Sequence, residues 1–288
     1  VLLFVLTLLS CRNNSNSQSL VSNKSAVILG AQQTEHYLPI LKNKNIGIVA
    51  NQTSVIFKTT GSTHLVDSLL SLNINVKKVF APEHGFRGTA DAGEYVTDGI
   101  DAGSGIPIVS LYGANKIPDA AILSDLEVVI FDIQDVGARF YTFLSTLHYM
   151  METCAKLGIT VLVLDRPNPN GHYVDGPTLD LNHSSFVGIH PVPVVHGMTV
   201  GEYAQMINGE GWLKEGVKCD LKVIPIRNYT HSTTYQLPIN PSPNLPNSKA
   251  INLYPSLCFF EGTNMSMGRG TENQFQVIGS PYLKGDLY

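Results

Sequence analysis

Charge is scarce in this 288-residue sequence: Asp, Glu, Lys and Arg make up 15% of it, and the formal net charge is −4. Without a basic field, binding along a phosphate backbone lacks its main electrostatic driving term, so nucleic acid is not an expected partner. Cysteine is sparse as well, at four in the chain. Cys154, Cys219 and Cys258 are widely spaced and form no CxxC pair, so neither a disulfide framework nor a zinc cluster is supported. They read as small buried apolar residues. The nine histidines contain no H-x-x-x-H pair, and a metal-free site is expected. Neither a G-x-G-x-x-G fingerprint nor a P-loop follows the first strand-like run, and no G-x-S-x-G elbow occurs. A nucleotide-using enzyme and a serine hydrolase both lose support, and no cofactor is expected.

The apolar run at 1–9, VLLFVLTLL, is too short to span a bilayer, which needs about 20 residues, but suits the core of an export signal. Leu8-Leu9-Ser10-Cys11 resembles the bacterial lipobox, in which cleavage leaves a lipid-modified cysteine at the new N-terminus. The polar tract at 12–24, with NNSNSQS inside it, would be the tether. Residues 1–24 therefore predict an exported protein held on a membrane through Cys11, facing the periplasm or the cell exterior. A plain signal peptide with an incidental cysteine is the alternative. No initiator Met or basic segment precedes the run, so the sequence is expected to begin inside its gene product.

Five β-branched apolar runs follow, at 46–50, 76–81, 106–111, 128–133 and 160–164, with helix-like segments between them. That alternation is the pattern of βαβ units, and runs apolar on both faces suit strands covered on both sides. Helices are predicted at 62–72, where Leu65, Leu69 and Leu72 share a stripe, and at 140–157, ended by Gly158. A helix at 200–207 and a strand at 221–226 continue the series. The predicted fold class is α/β: a Rossmann-like, doubly wound, mainly parallel sheet over 25–229. From about Thr230 the chain turns Pro- and Asn-rich, and 230–288 is expected to complete a cleft and start a second subdomain that continues beyond KGDLY.

Ligands of open α/β sheets bind outside the carboxyl ends of the strands. Here those ends are unusually polar: Asn51-Gln52-Thr53, Glu83-His84-Gly85-Phe86-Arg87-Gly88, Tyr112-Gly113, Asp132-Ile133-Gln134-Asp135 through Arg139-Phe140-Tyr141, and Asp165-Arg166-Pro167-Asn168. All five are expected to open onto one crevice. Carboxylates with amides, aromatics and arginines are the equipment of glycoside hydrolysis, where two carboxyl groups flank the scissile bond. Glu83 is the first choice for general acid/base, because it directly follows a buried strand and Pro82 fixes the backbone before it; a helix cap or a salt bridge to Arg87 is the plain alternative. Asp132 and Asp135 are weaker candidates, since an Asp at a strand end often caps the next helix. Asp165-Arg166 could be an internal ion pair. His84 and His196 lie in loops beside glycine.

Several segments can be set together: Pro82-Glu83-His84-Gly85, Phe131-Asp132-Ile133-Gln134-Asp135 through Tyr141, Leu164-Asp165-Arg166-Pro167-Asn168-Pro169, His196-Gly197-Met198-Thr199, Pro241-Ser242-Pro243-Asn244, and Glu261-Gly262-Thr263-Asn264 through Gly268-Arg269-Gly270-Thr271. In this order, from about Ile46 to Tyr282, they resemble the NamZ-type exo-β-N-acetylmuramidases. The resemblance implies release of N-acetylmuramic acid from non-reducing ends of peptidoglycan fragments in a cleft between a Rossmann-like domain and a second domain, with Glu83 as the catalytic glutamate. Asp132, Glu261 and Glu272 stay candidates for a second catalytic group. Asn51, His84, Arg87, Gln134, Asp135, Tyr141, Asp165, His196, Asn244 and Glu272 are expected to bind saccharide. Muramic acid carries a lactyl carboxylate, which a planar guanidinium recognises best, so Arg139, Arg166 and Arg269 are candidates for that contact. A non-catalytic lipoprotein that captures muropeptide or glycan would use the same crevice, and turnover is what separates the two.

Overall fold

A computed structural model describes residues 26–87 and 97–283. Cys11 and the rest of the predicted signal and tether lie outside the described residues, as does Gly88 of the loop after the second expected strand.

The strands are β1 (Ile46–Ala50), β2 (Val55–Phe57), β3 (Ser62–His64), β4 (Val76–Ala81), β5 (Gly99–Ile100), β6 (Pro107–Ser110), β7 (Val128–Asp132), β8 (Thr160–Leu164) and β9 (Leu221–Ile224). The helices are α1 (Thr34–Leu41), α2 (Leu65–Ser71), α3 (Ala120–Leu123), α4 (Phe143–Leu157), α5 (Val200–Gly209) and α6 (Ser248–Leu257). Seven strands form one sheet in the order β5-β6-β4-β1-β7-β8-β9, parallel except for the two-residue β5 at the edge. Counted among themselves, the six parallel strands run 3-2-1-4-5-6, the Rossmann order, with the switch point between β1 and β7.

The central strands β1, β7 and β8 are buried at every residue because apolar layers cover both faces. One layer packs Leu144, Leu147, Met150, Met151 and Cys154 of α4 with Tyr203, Ala204 and Ile207 of α5 against Val49, Val129, Phe131, Val161 and Val163. The other packs Tyr37, Leu41, Leu65, Val66 and Leu69 against Ile46, Ile48, Ile130 and Leu162. Outer strands depart from the expectation of two apolar faces: Lys77 of β4 is exposed, and β6 is only half-buried. Strands near a sheet edge keep one face in water.

Two helix starts also move. Ser62–His64 pairs with Val55–Phe57 as a hairpin, so α2 begins at Leu65 with the His64 ring accepting the Val66 N–H. Leu72 falls past the helix end and is 46% exposed, outside the buried stripe. α4 begins at Phe143 rather than 140, because Ala138 bridges to Val195, the Arg139 N–H donates to the Val194 carbonyl, and the Tyr141 N–H turns back onto the Ala138 carbonyl, so 138–142 form a tethered turn. Gly158 ends it in the left-handed conformation as expected, at φ 68°. Among the described residues no helix is long and apolar enough to cross a membrane.

Candidate active site

A cavity of about 440 Å³ opens beside the carboxyl ends of β4 and β7, within the size range of small-ligand sites. Its floor is Glu83 and His84, directly after β4. One wall is Arg139 to Thr142, at the start of α4; another is the excursion carrying Leu179, His183, Ser185 and Gly188; the last comes from Ser242, Asn244 and the aromatic residues Tyr254, Phe259 and Phe275.

Glu83 is held at both oxygens. The Tyr112 hydroxyl donates to Oε1 at 2.8 Å and the Thr142 hydroxyl to Oε2 at 2.7 Å, which fixes the plane of the carboxyl group. Hydroxyls both donate and accept, so the two can serve either protonation state of an acid/base cycle. Thr142 is the N-cap residue of α4, yet its side chain caps none of that helix's N–H groups; the hydroxyl serves Glu83 instead. Glu83 does not pair with Arg87. The Arg87 guanidinium turns away from the cavity onto Asp101 at 3.1 and 2.7 Å and lies over the Phe86 ring, so the expected saccharide contact at Arg87 is not positioned to form. That guanidinium and the hydroxyl and backbone of Ser104 hold the Asp101 carboxyl down at about 2.

Asn51, Asp132, Gln134, Asp165 and Arg166 do not line this cavity. Asp132 is fully buried and forms a forked pair with Arg166, Nε to Oδ1 at 2.6 Å and Nη2 to Oδ2 at 2.9 Å. The pair fills the switch point between β1 and β7, where an open sheet would otherwise leave a crevice. Arg166 is thus bound to Asp132 rather than to its sequence neighbour, and neither is exposed to a bound saccharide. Asp165 serves α5: its oxygens accept from the Thr199 hydroxyl and the Gly201 N–H, both at 2.8 Å, and burial raises its carboxyl to about 6. Asn51 accepts from the N–H and hydroxyl of Thr53, and Gln134 donates to the carbonyls of Asp135 and Pro167. These amides stitch the loops together beneath the cavity. Strand ends so rich in polar groups must satisfy one another once buried, which is why five such loops give one carboxyl group facing the opening.

Asp135 and His196 form a second buried layer. Asp135 Oδ2 accepts from the Gly137 N–H at 2.6 Å and lies 3.8 Å from His196 Nε2. Asp135 Oδ1 and His196 Nε2 have no hydrogen-bond partner among the described residues. Burial raises the Asp135 carboxyl to about 7 and lowers His196 to about 3. Because the Met198 N–H donates to His196 Nδ1, the neutral ring carries its proton on Nε2, aimed at Asp135. Gly137, at φ 78°, makes the tight turn above: a Cβ there would lie 2.3 Å from Asn168 Oδ1. The raised Asp135 value has a sign for stability. Above its ordinary value of 3.8 the unfolded chain gives up this proton while the fold retains it, so folding is progressively weakened from about pH 4 to about pH 7. Asp135→Asn is expected to gain thermal stability relative to the parent on going from pH 5 to pH 8; a difference in Tm that is flat with pH would refute this.

Of the arginines, Arg139 reaches the cavity. Its Nη1 donates to the carbonyls of Pro177 and Val192 at 2.7 and 2.6 Å, which braces the guanidinium against the wall. Glu261 lines the cavity and pairs with Arg269 at 3.2 Å, both partly exposed. Arg269 therefore stands behind Glu261 rather than in the lining, and Glu272 is exposed outside it. Asn244 and Tyr141 line the cavity; burial pushes the Tyr141 phenol, which stands against Ser242, far above its usual range. Cys258 departs from the buried-core expectation: it is half-buried, lines the cavity and donates from Sγ to Glu261 Oε2 at 3.3 Å, with burial pushing the thiol up to about 12. Thr142, Tyr254, Phe259 and the 179–188 wall escaped the sequence argument. For Thr142 the signal was present, since it follows Tyr141 at the end of the resembling segment.

Fold and cavity together define the class: a Rossmann-like α/β protein with a small-molecule cleft into which one doubly held carboxyl group points. The chain belongs to the NamZ family. Residues 46–249 match the family described as exo-beta-N-acetylmuramidase NamZ, N-terminal, and 252–288 match its C-terminal counterpart. The chain is 41% identical over 254 residues to the peptidoglycan beta-N-acetylmuramidase NamZ of Bacillus subtilis (strain 168), covering 86% of this chain and 60% of that protein's length. Two crystal structures of DUF1343 family proteins from Bacteroides fragilis NCTC 9343 share its fold. One is 52% identical with a TM-score of 0.81 over 91% of this chain and 69% of that one; the other is 30% identical with a TM-score of 0.80 over 90% and 67%.

Proposed function

We propose that this protein is a glycoside hydrolase, an exo-acting β-N-acetylmuramidase that releases N-acetylmuramic acid from the non-reducing ends of peptidoglycan fragments. The observation that carries the reading is the Glu83 carboxyl group, fixed by Tyr112 and Thr142 at the floor of a cavity walled by aromatic rings. In that position Glu83 protonates the leaving glycosidic oxygen and then takes a proton from the incoming water. Glu261, the other carboxylate in the lining, is the candidate to stabilise or attack the sugar centre. Aromatic faces such as Tyr254 and Phe259 suit the apolar face of a sugar ring, and Asn244 supplies an amide for its hydroxyls. Family membership supports the reaction class, and the Bacillus relative's activity supports the sugar.

Arg139 is the proposed reader of the lactyl carboxylate. The test uses two chromogenic substrates, a β-N-acetylmuramide and the matching β-N-acetylglucosaminide, which lacks the lactyl group. Turnover of the muramide with clear preference over the glucosaminide is expected, and Arg139→Ala should erase roughly 10- to 100-fold of that preference, the value of a charge-assisted contact of about 1.5–3 kcal/mol. Saturable binding of the muramide without released aglycone would favour the capture lipoprotein instead. We further propose export and lipid anchoring through Cys11, supported by the apolar run at 1–9 and Leu8-Leu9-Ser10-Cys11. Cys11→Ser would then abolish recovery of the protein with membranes.

A further inference from the structure

Tyr112 helps to fix Glu83. It lies beyond the last residue of β6, next to Gly113 in the left-handed conformation at φ 71°, and its N–H donates to the Ser110 hydroxyl at 3.3 Å. A tyrosine hydroxyl stands at the end of a long side chain with two rotatable torsions, so a modest change in ring angle carries it out of the 2.5–3.0 Å range of an O–H···O bond. Packing that braces the ring therefore bears on whether that bond forms.

Phe186 supplies such a brace. It is half-buried in a stretch where Ser185 and Val187 are exposed, so the cavity wall turns this one side chain inward. Its ring stacks on Tyr149 of α4, with centroids 6.2 Å apart and planes 9° from parallel, and takes Lys116 Nζ on its face at 4.6 Å. It meets the Tyr112 ring at 6.5 Å with a tilt of 52°. These separations lie within the range over which aromatic pairs and cation–ring contacts are favourable. One phenylalanine thus joins α4, the segment after β6 and the 177–190 wall, and its partner on the catalytic side is the residue that holds Glu83.

We propose that Phe186 is a positioning residue for hydrolysis: it wedges the Tyr112 ring so that the hydroxyl meets Glu83 Oε1, and so ties the cavity wall to the orientation of the acid/base carboxyl group. The inference rests on Glu83 being that group. Its effect falls on the bond-breaking step, because its ring meets Tyr112, which touches Glu83, and Phe186 itself is not among the residues that line the cavity.

A double-mutant cycle on the protein tests it. Phe186→Ala is expected to lower kcat on the chromogenic muramide about tenfold or more, since small misplacements of a catalytic group have effects of that order, with KM within about twofold of the parent. Phe186→Tyr should restore most of the rate, whereas Phe186→Leu, which keeps bulk without the ring face, should not. In a Tyr112→Phe background Phe186→Ala should cause little further loss, because the hydroxyl it positions is gone. Losses that multiply independently, a change in KM alone, or an unaltered kcat in Phe186→Ala would each overturn the proposal. Should Phe186→Ala fold poorly, the Tyr and Leu variants carry the comparison, and equal rates for those two would overturn it equally. A parental rate in Glu83→Gln would instead remove the acid/base reading beneath it, whatever the cycle returns.

Discussion

Glu83→Gln is expected to lower kcat by roughly 100- to 10,000-fold, the contribution of a positioned acid/base group, while leaving Tm and the fold intact. The substitution is nearly isosteric. The Gln carbonyl can still accept from the Tyr112 hydroxyl, and its NH₂ can donate to the Thr142 hydroxyl, which then acts as acceptor. What disappears is a group able to give and take a proton. KM should change much less than kcat, because the cavity walls that hold the sugar are untouched. A variant that folds and turns over at near the parental rate would place the chemistry elsewhere, with Glu261 the next residue to examine.

Asp132→Ala carries the second large expectation, and it is one of stability rather than catalysis. Removing this carboxylate leaves the Arg166 guanidinium, 3% exposed and otherwise bonded to the Val55 carbonyl at 3.2 Å, as an uncompensated buried charge. Breaking such a pair costs about 3–5 kcal/mol, enough to move a urea midpoint far to lower concentration. Replacing both partners together by Leu and Met should recover much of the loss, since apolar side chains of similar volume carry no desolvation penalty. Protein that remains folded at low temperature should retain its kcat. Near-parental stability combined with a collapsed rate would return Asp132 to the mechanism.

The contrast between these two carboxylates explains how far the sequence could be read. The β-branched runs and the helices between them lie close to where their periodicity puts them, because a strand buried on both faces leaves little freedom in composition, and the alternation of strand and helix leads to parallel pairing. Glu83 was legible for the same reason: it stands directly after a buried strand, beside a proline. Illegible was the division of labour among the remaining polar ends. Arg166 follows Asp165 in the chain but reaches Asp132 across the β7–β8 pairing, a contact set by sheet register rather than by sequence distance. Thr142 falls inside the helix predicted over 140–157, but in space it precedes that helix and its hydroxyl reaches Glu83. The 179–188 wall has neither strand nor helix periodicity, and its position depends on long-range anchors such as Phe186.

Thr142 has a consequence for any effort to harden this protein. Its hydroxyl could have satisfied one of the orphan N–H groups at the first turn of α4, a contribution of about 1 kcal/mol. Directed toward Glu83, it leaves the longest helix of the described residues without a side-chain cap at its first turn, at the cavity's edge. Screens for heat resistance alone would therefore favour side chains at 142 that tighten the helix and release the glutamate, so robustness and turnover should trade against each other at this single position.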